Sequence, residues 1–192
     1  MLIRNKQESD VEAIAKVHYE SWLTTYRGIV PDSYLDQLTL SSYIERHHKF
    51  NAPCIVAEVD GEVIGFLMYG KDKDEDTSDT CGEIMVIYLL EAYQHQGIGT
   101  RLMQEAEEQM KDKYDELSLW VFEDNHPTIK FYEKHGFKKD GKSEISDVSK
   151  ALKEVRMMKR IWYIVAMNFK VHGLFYINNP EKIKENNFKE FC

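Results

Sequence analysis

Apolar positions recur along this chain with two spacings, one suited to helices and one to strands, and their alternation lays out the elements. Leu2-Ile3-Arg4 begins a first strand. Val11, Ile14, Ala15, Val17 and His18 then keep helical spacing, from a cap at Ser9 or Asp10 to about Trp22. Gly28 and Pro31 break that helix, and a second one is predicted to begin at Asp32. Cys54–Val59 and Glu62–Tyr69 read as an antiparallel pair of strands, because Asp60-Gly61 between them is a strong hairpin signal. The polar run from Lys71 to Asp79 reads as a solvated loop. Ile84–Leu90 forms an apolar run of strand length, followed by Ile98, Leu102, Ala106 and Met110 at every fourth position, the buried stripe of a helix. Glu116–Phe122 alternates as a strand, and Phe137–Lys139 and Glu154–Arg160 supply two last strands. The order predicts a three-layer α+β domain whose central sheet carries helices on both faces.

Composition narrows the classes of partner. At 192 residues and 43% hydrophobic, the chain can bury a full core as one domain. A formal charge of -8, with no lysine or arginine cluster, opposes a nucleic-acid partner, which needs a basic face. The beginning, Met1-Leu2-Ile3-Arg4-Asn5-Lys6, has no apolar signal core and no apolar run reaches membrane length, so the expectation is a cytoplasmic protein with no membrane contact. Cys54, Cys81 and Cys192 are far apart with no C-x-x-C pair, so free thiols are expected, with neither a disulfide framework nor a metal site. The acidic loop 71–79 lacks the glycine and terminal glutamate of a calcium loop.

The candidate chemistry centres on Gln94-His95-Gln96-Gly97-Ile98-Gly99-Thr100-Arg101, which lies between an apolar strand and an amphipathic helix. Free backbone N–H groups converge at a helix start with the positive end of the dipole, so a phosphate-bearing ligand is predicted there. A Walker A loop would need Lys-Ser/Thr after the second glycine, where Thr100 and Arg101 stand; a dinucleotide fingerprint would need a small residue where Leu102 stands. The remaining pattern, Gln94-x-x-Gly97-x-Gly99, resembles the acyl-CoA pyrophosphate loop of the GNAT superfamily of N-acetyltransferases. A second motif strengthens the resemblance: the strand through Trp120 leads to Asn125, then to a short helix carrying Phe131-Tyr132, and Gly136-Phe137 ends it. Local chemistry is consistent with that layout, since Asn125 can cap a helix, Pro127 suits its first turn and Gly136 its C-terminal end.

The resemblance implies a GNAT-like acyl-CoA N-acyltransferase fold, an α+β (α/β-type three-layer) arrangement with a mixed, mostly antiparallel sheet. It implies acetyl-CoA as acetyl donor, no metal, and an amine acceptor, expected to be a small molecule. Backbone amides from Gln96 through Thr100, including Gly97, Ile98 and Gly99, would hold the pyrophosphate, with Gln94 and His95 in the same loop. Ile87 and Leu89 would pair main chain to main chain with the pantetheine arm, and Asn125 would touch it from the other side. Ser21-Trp22 through Pro31-Asp32 resembles the acceptor wall of one branch of the superfamily, which makes Trp22, Tyr26 and Arg27 acceptor-site candidates.

Acetyl transfer requires that an alkylammonium, with a pKa of about 10.4, lose its proton before attack. Glu83, at the start of the strand leading to the glycine loop, is the candidate base acting through water. A phenol with a pKa of about 10 can donate a proton to a departing thiolate with a pKa of about 8.5, and Tyr132 matches the family's tyrosine for that role. A catalytically silent acyl-CoA-binding sensor or assembly module is the alternative reading. The resemblance covers residues 1–161; the aromatic-rich remainder, residues 162–192, is expected to be an extension that packs on the domain or mediates a homodimer.

Overall fold

The computed structural model describes residues 1–161, so the extension from residue 162 lies outside the described residues. Seven strands form one sheet: β1 (Leu2–Asn5), β2 (Cys54–Val59), β3 (Glu62–Lys71), β4 (Cys81–Leu89), β5 (Glu116–Phe122), β6 (Lys138–Ile145) and β7 (Lys153–Arg160). Their spatial order is β1-β2-β3-β4-β5-β7-β6. Every neighbouring pair is antiparallel except β4 and β5. The expected mixed, mostly antiparallel sheet is therefore present.

Alternation along the strands divides the core. On one face Ile55, Ala57, Ile64, Leu67 and Ile84 pack against Ile98, Leu102, Ala106 and Met110 of helix α4 (Ile98–Met110). On the other, Val56, Phe66 and Met68 meet Ile14 and Val17 of helix α1 (Val11–Thr25). Helix α5 (His126–Lys134) joins the α4 side through Ile129 and Tyr132. Burying two faces of a sheet this way is what makes three layers stable.

Three local features depart from the sequence reading. Asp10 stands at the start of α1, but its carboxylate takes the Arg4 guanidinium at 2.6 and 2.9 Å and the Gln7 amide at 2.7 Å instead of capping the helix. The second helix is divided: α2 (Asp32–Leu35) lasts one turn, and Thr39, accepting from the Ser42 amide, starts α3 (Leu40–Lys49). The segment 71–79 is more than a solvated loop. Asp72 is buried and bonded by the Ser118 hydroxyl, while Asp74 and Asp76 are drawn onto Arg156.

Candidate active site

β4 and β5 share only three rungs, Cys81↔Glu116, Gly82↔Leu117 and Glu83↔Ser118. Beyond them each strand stays paired on its outer side, β4 with β3 to Leu89 and β5 with β7 to Phe122. The two strands thus part after Glu83, and a cleft opens in the middle of the sheet. β4 also carries a bulge, because Met68 pairs with Val86 and Tyr69 with Ile84, leaving Met85 unmatched.

Main-chain direction along this cleft follows from one bond. The Leu90 amide donates to Ile64 O at 3.0 Å, so strand alternation turns the amides of Leu89 and Ile87 away from β3, to the cleft side. Leu89 O on that side accepts from the Gln94 amide side chain at 3.1 Å. Both predicted pantetheine partners therefore present backbone to the opening.

The glycine loop ends the same strand. A single helical turn, Glu91–Tyr93, leads to His95 and Gly97, both left-handed with φ of 60° and 79°. Gly97 is the N-cap of α4, and no side chain caps the helix. The first backbone bond into Gly97 O comes from Arg101, so the amides of Ile98, Gly99 and Thr100 have no partner within the helix. A Cβ at Gly97 would meet nothing within 4 Å, whereas one at Gly99 would lie 3.4 Å from the Phe131 ring. A side chain larger than alanine at Gly99 would therefore press on α5. The Thr100 hydroxyl and His135 Nε2, 3.3 Å apart, tie the same two helices together. The Gln96 side chain is used inside the loop, donating to Ala92 O at 3.0 Å.

α5 follows β5 directly and packs on the α4 side, with Phe131 beside Gly99. Asn125 is its N-cap, accepting from the Thr128 amide at 3.3 Å, and is almost fully buried. Tyr132 is buried beside Phe131 and Phe137, and burial, with a smaller contribution from Tyr26, raises its phenol above the ordinary value. Its hydroxyl makes no hydrogen bond among the described residues.

Glu83 sits where the strands part. Burial, then Asp72 and Asp74, push its carboxyl up to about 7. Sharing a rung with Ser118, it lies on the sheet face that also carries Trp120 and Phe122, since Leu117, Leu119 and Val121 point into the α4 core. Half-protonated near neutrality, it is suited to accept a proton.

The end of α1 overhangs this face. The Trp22 and Tyr26 rings pack tilted at 59° with centroids 4.6 Å apart, and Tyr26 meets Phe122 edge-on at 5.3 Å. Arg27 is not brought in with them; it is exposed and paired with Asp32 at 3.0 Å. Gly28, left-handed, turns the chain directly after it and sends its side chain outward.

Sequence reasoning missed Tyr88, which accepts the Trp22 indole N–H at 2.8 Å and lies 3.3 Å from the Tyr26 hydroxyl. It also missed the buried pair His18–His47, joined Nδ1 to Nε2 at 2.9 Å, with His18 stacked on the Tyr88 ring. A tyrosine inside an otherwise aliphatic strand was the available signal. The free thiols of Cys54 and Cys81 are buried, and burial raises each to about 12, so neither is a poised nucleophile. Among the described residues no helix is long and apolar enough to cross a membrane.

Comparison with known proteins agrees with this geometry. The sequence model of the acetyltransferase (GNAT) family matches residues 15–137. The N-acetyltransferase YuaI of Bacillus subtilis is 31% identical over 156 residues, covering 80% of this chain and 89% of that protein. A spermidine N(1)-acetyltransferase of Thermoplasma acidophilum is 30% identical over 146 residues, covering 71% and 87%. The crystal structure of PaiA N-acetyltransferase from the same organism, in complex with coenzyme A, superimposes with a TM-score of 0.63 at 29% identity, covering 84% of this chain and 100% of that one.

Proposed function

Because the chain belongs to the GNAT family of acetyltransferases, we propose that this cleft moves the acetyl group of acetyl-CoA to the primary amine of a small molecule, with both substrates bound at once. The observation that carries the reading is the parting of β4 and β5 after Glu83 and Ser118, with unpaired amides on one wall and a bare helix start at its end. The residues suit the donor. Ile98, Gly99 and Thr100 offer free amides at the positive end of α4 for a diphosphate, and Gly97 places no side chain in front of them. Ile87 and Leu89 offer main-chain groups to the amides of a pantetheine arm, and Asn125 stands at the opposite wall. Acetyl-CoA supplies an activated acyl thioester and a thiolate that leaves readily.

Each remaining task falls to a residue of the chain. Glu83, held near neutrality by burial and by Asp72 and Asp74, takes the proton of the incoming ammonium through water. Tyr132, whose phenol is held protonated at neutral pH by the burial of its ring, donates to the departing sulfur. Trp22 and Tyr26 wall the acceptor side, with Phe122 beneath them. Glu83, on the sheet face that carries Phe122, and the aromatic rings of the wall favour a cationic acceptor, consistent with a net charge of -8.

Calorimetry with acetyl-CoA and thiol release over an amine panel test the reading. Tyr132→Phe keeps the ring and its packing, so it should bind acetyl-CoA while kcat falls about 100-fold. Acetyl-CoA binding without turnover of any amine, or no binding at all, would sink it.

A further inference from the structure

Tyr26 touches both strands that border the cleft: its hydroxyl lies 3.3 Å from that of Tyr88 on β4, and its ring meets Phe122 on β5 at 5.3 Å. The hydroxyl therefore stands over the opening, and its orientation can be deduced from its neighbours. An indole nitrogen only donates, so the Trp22 N–H, at 2.8 Å, occupies a lone pair of the Tyr88 oxygen. The Tyr88 phenol is itself buried, and among the described residues the one further group in hydrogen-bond reach is Tyr26 Oη. A buried hydroxyl proton left without an acceptor is costly, so Tyr88 donates to Tyr26. Tyr26 then accepts, and its own proton is left for the cleft.

The chain of donors is held from behind. His18 stacks on the Tyr88 ring with centroids 4.5 Å apart, and His47 fixes His18 through the 2.9 Å bond between their rings. Tyr43 and Phe66 meet the His18 ring edge-on. Tyr88 thus has little freedom to rotate its hydroxyl away from Trp22.

We propose that Trp22, Tyr88 and Tyr26 form a one-way hydrogen-bond relay that makes the Tyr26 hydroxyl a fixed donor to the acceptor substrate, selecting primary amines that carry an uncharged carbonyl oxygen beside the amine. A donor aimed into a water-poor cleft rewards an oxygen lone pair and is left unsatisfied by a plain alkylamine. Glu154 shares a rung with Phe122, whose ring meets Tyr26, so its carboxylate stands on this wall and sets a neutral carbonyl above a carboxylate at this position. Tyr26 is here a specificity residue; Trp22 and Tyr88 are positioning residues that act through it. The inference rests on the reading of the cleft as an acetyltransferase site.

Alaninamide and isopropylamine test it, since they differ at the carbon beside the amine by one carbonyl-bearing group. With rates referred to the free base, the protein should prefer alaninamide by about tenfold in kcat/KM, one well-formed hydrogen bond. Tyr26→Phe removes the donor, and Tyr88→Phe removes the group that fixes the direction of the Tyr26 hydroxyl. Both should reduce the preference to less than about threefold, mainly through KM for alaninamide, whereas a merely structural loss would lower both amines alike. Calorimetric binding of acetyl-CoA by each variant reports whether it is folded, and Tyr26→Phe carries the test if Tyr88→Phe does not fold. The proposal is overturned if the wild type shows no preference, if the preference survives in Tyr26→Phe, or if a protein that binds acetyl-CoA acetylates neither amine. If the wild type binds no acetyl-CoA, it is the acetyltransferase reading of the cleft that has failed.

Discussion

Glu83 stands opposite Ser118 on the last rung that β4 and β5 share, and the Ser118 hydroxyl is bonded to Asp72, one of the two carboxylates that disfavour charge on Glu83. The proposed base is therefore placed by the same residues that end the strand pairing and that raise its pKa.

Activity should accordingly rise with pH through about 7, as Glu83 becomes charged, and Glu83→Gln should remove that limb while lowering kcat about 100-fold. Stability should run the other way. The folded-state value of about 7 lies above the ordinary 4.5, so folding takes up a proton between those values, and the stability this adds is present below 4.5 and lost as pH rises through 7. Thermal melts should find Glu83→Gln no more stable than wild type at pH 4 but more stable at pH 8. A pH–rate profile unchanged by Glu83→Gln would remove this residue from the mechanism.

The two loop glycines should respond differently to substitution. Gly97 has φ of 79° and open space where a Cβ would go, so Gly97→Ala pays only for the left-handed backbone, about 1 kcal/mol, read by chemical denaturation. Gly99 is 3.4 Å from the Phe131 ring at that point, and Phe131 packs against Tyr132. Gly99→Val should shift α5 and lower kcat more than it weakens acetyl-CoA binding; equal effects on both would show that Gly99 serves the ligand alone.

Much of this frame was legible because local and tertiary demands coincide. Asp60-Gly61 does join β2 to β3 with both residues left-handed, β5 spans Glu116–Phe122 as its alternation predicts, and Asn125 caps α5. Where the reading failed, a distant partner had intervened. Asp10 looks like a cap until Arg4, 6 residues earlier, claims its carboxylate. Asp72, Asp74 and Asp76 look like solvated charge because their partners, Ser118 and Arg156, lie 46 to 82 positions away. Trp22 and Tyr26 share a helical face and were visible as a pair. Arg27, one residue on, falls past the end of α1 and points to solvent. Tyr88 was hidden by its apolar surroundings, since alternation reports burial and not where a hydroxyl points.

Ser21 offers a test of packing near the acceptor wall. Its hydroxyl is fully buried on α1, one residue before Trp22, and has no hydrogen-bond partner among the described residues. Leaving such a group unsatisfied costs about 1 kcal/mol or more, while alanine keeps the helix and removes the polar atom. Ser21→Ala should therefore raise the denaturation midpoint. A fall would mean that the hydroxyl is bonded in solution.

Arg156 couples the acidic loop to the sheet. Its side chain is 7% exposed and binds Asp74 at 2.9 Å, Asp76 at 2.7 Å and Asp140 at 2.6 Å. Removing one side of a buried ion cluster strands the other, so Arg156→Met should cost about 3 kcal/mol, less than for a fully enclosed cluster because Asp76 reaches solvent. Lys142 meets the same carboxylates from a more exposed position, and Lys142→Met should cost less. The catalytic consequence separates this role from simple bracing. Asp74 is one of the groups that raise Glu83, and Arg156 offsets its charge. Without the guanidinium, the negative field at Glu83 grows, a carboxylate there becomes harder to form, and the rising limb of the pH–rate profile should move above 7. A limb that stays in place, or moves to lower pH, would show that the loop holds the sheet together without tuning the base.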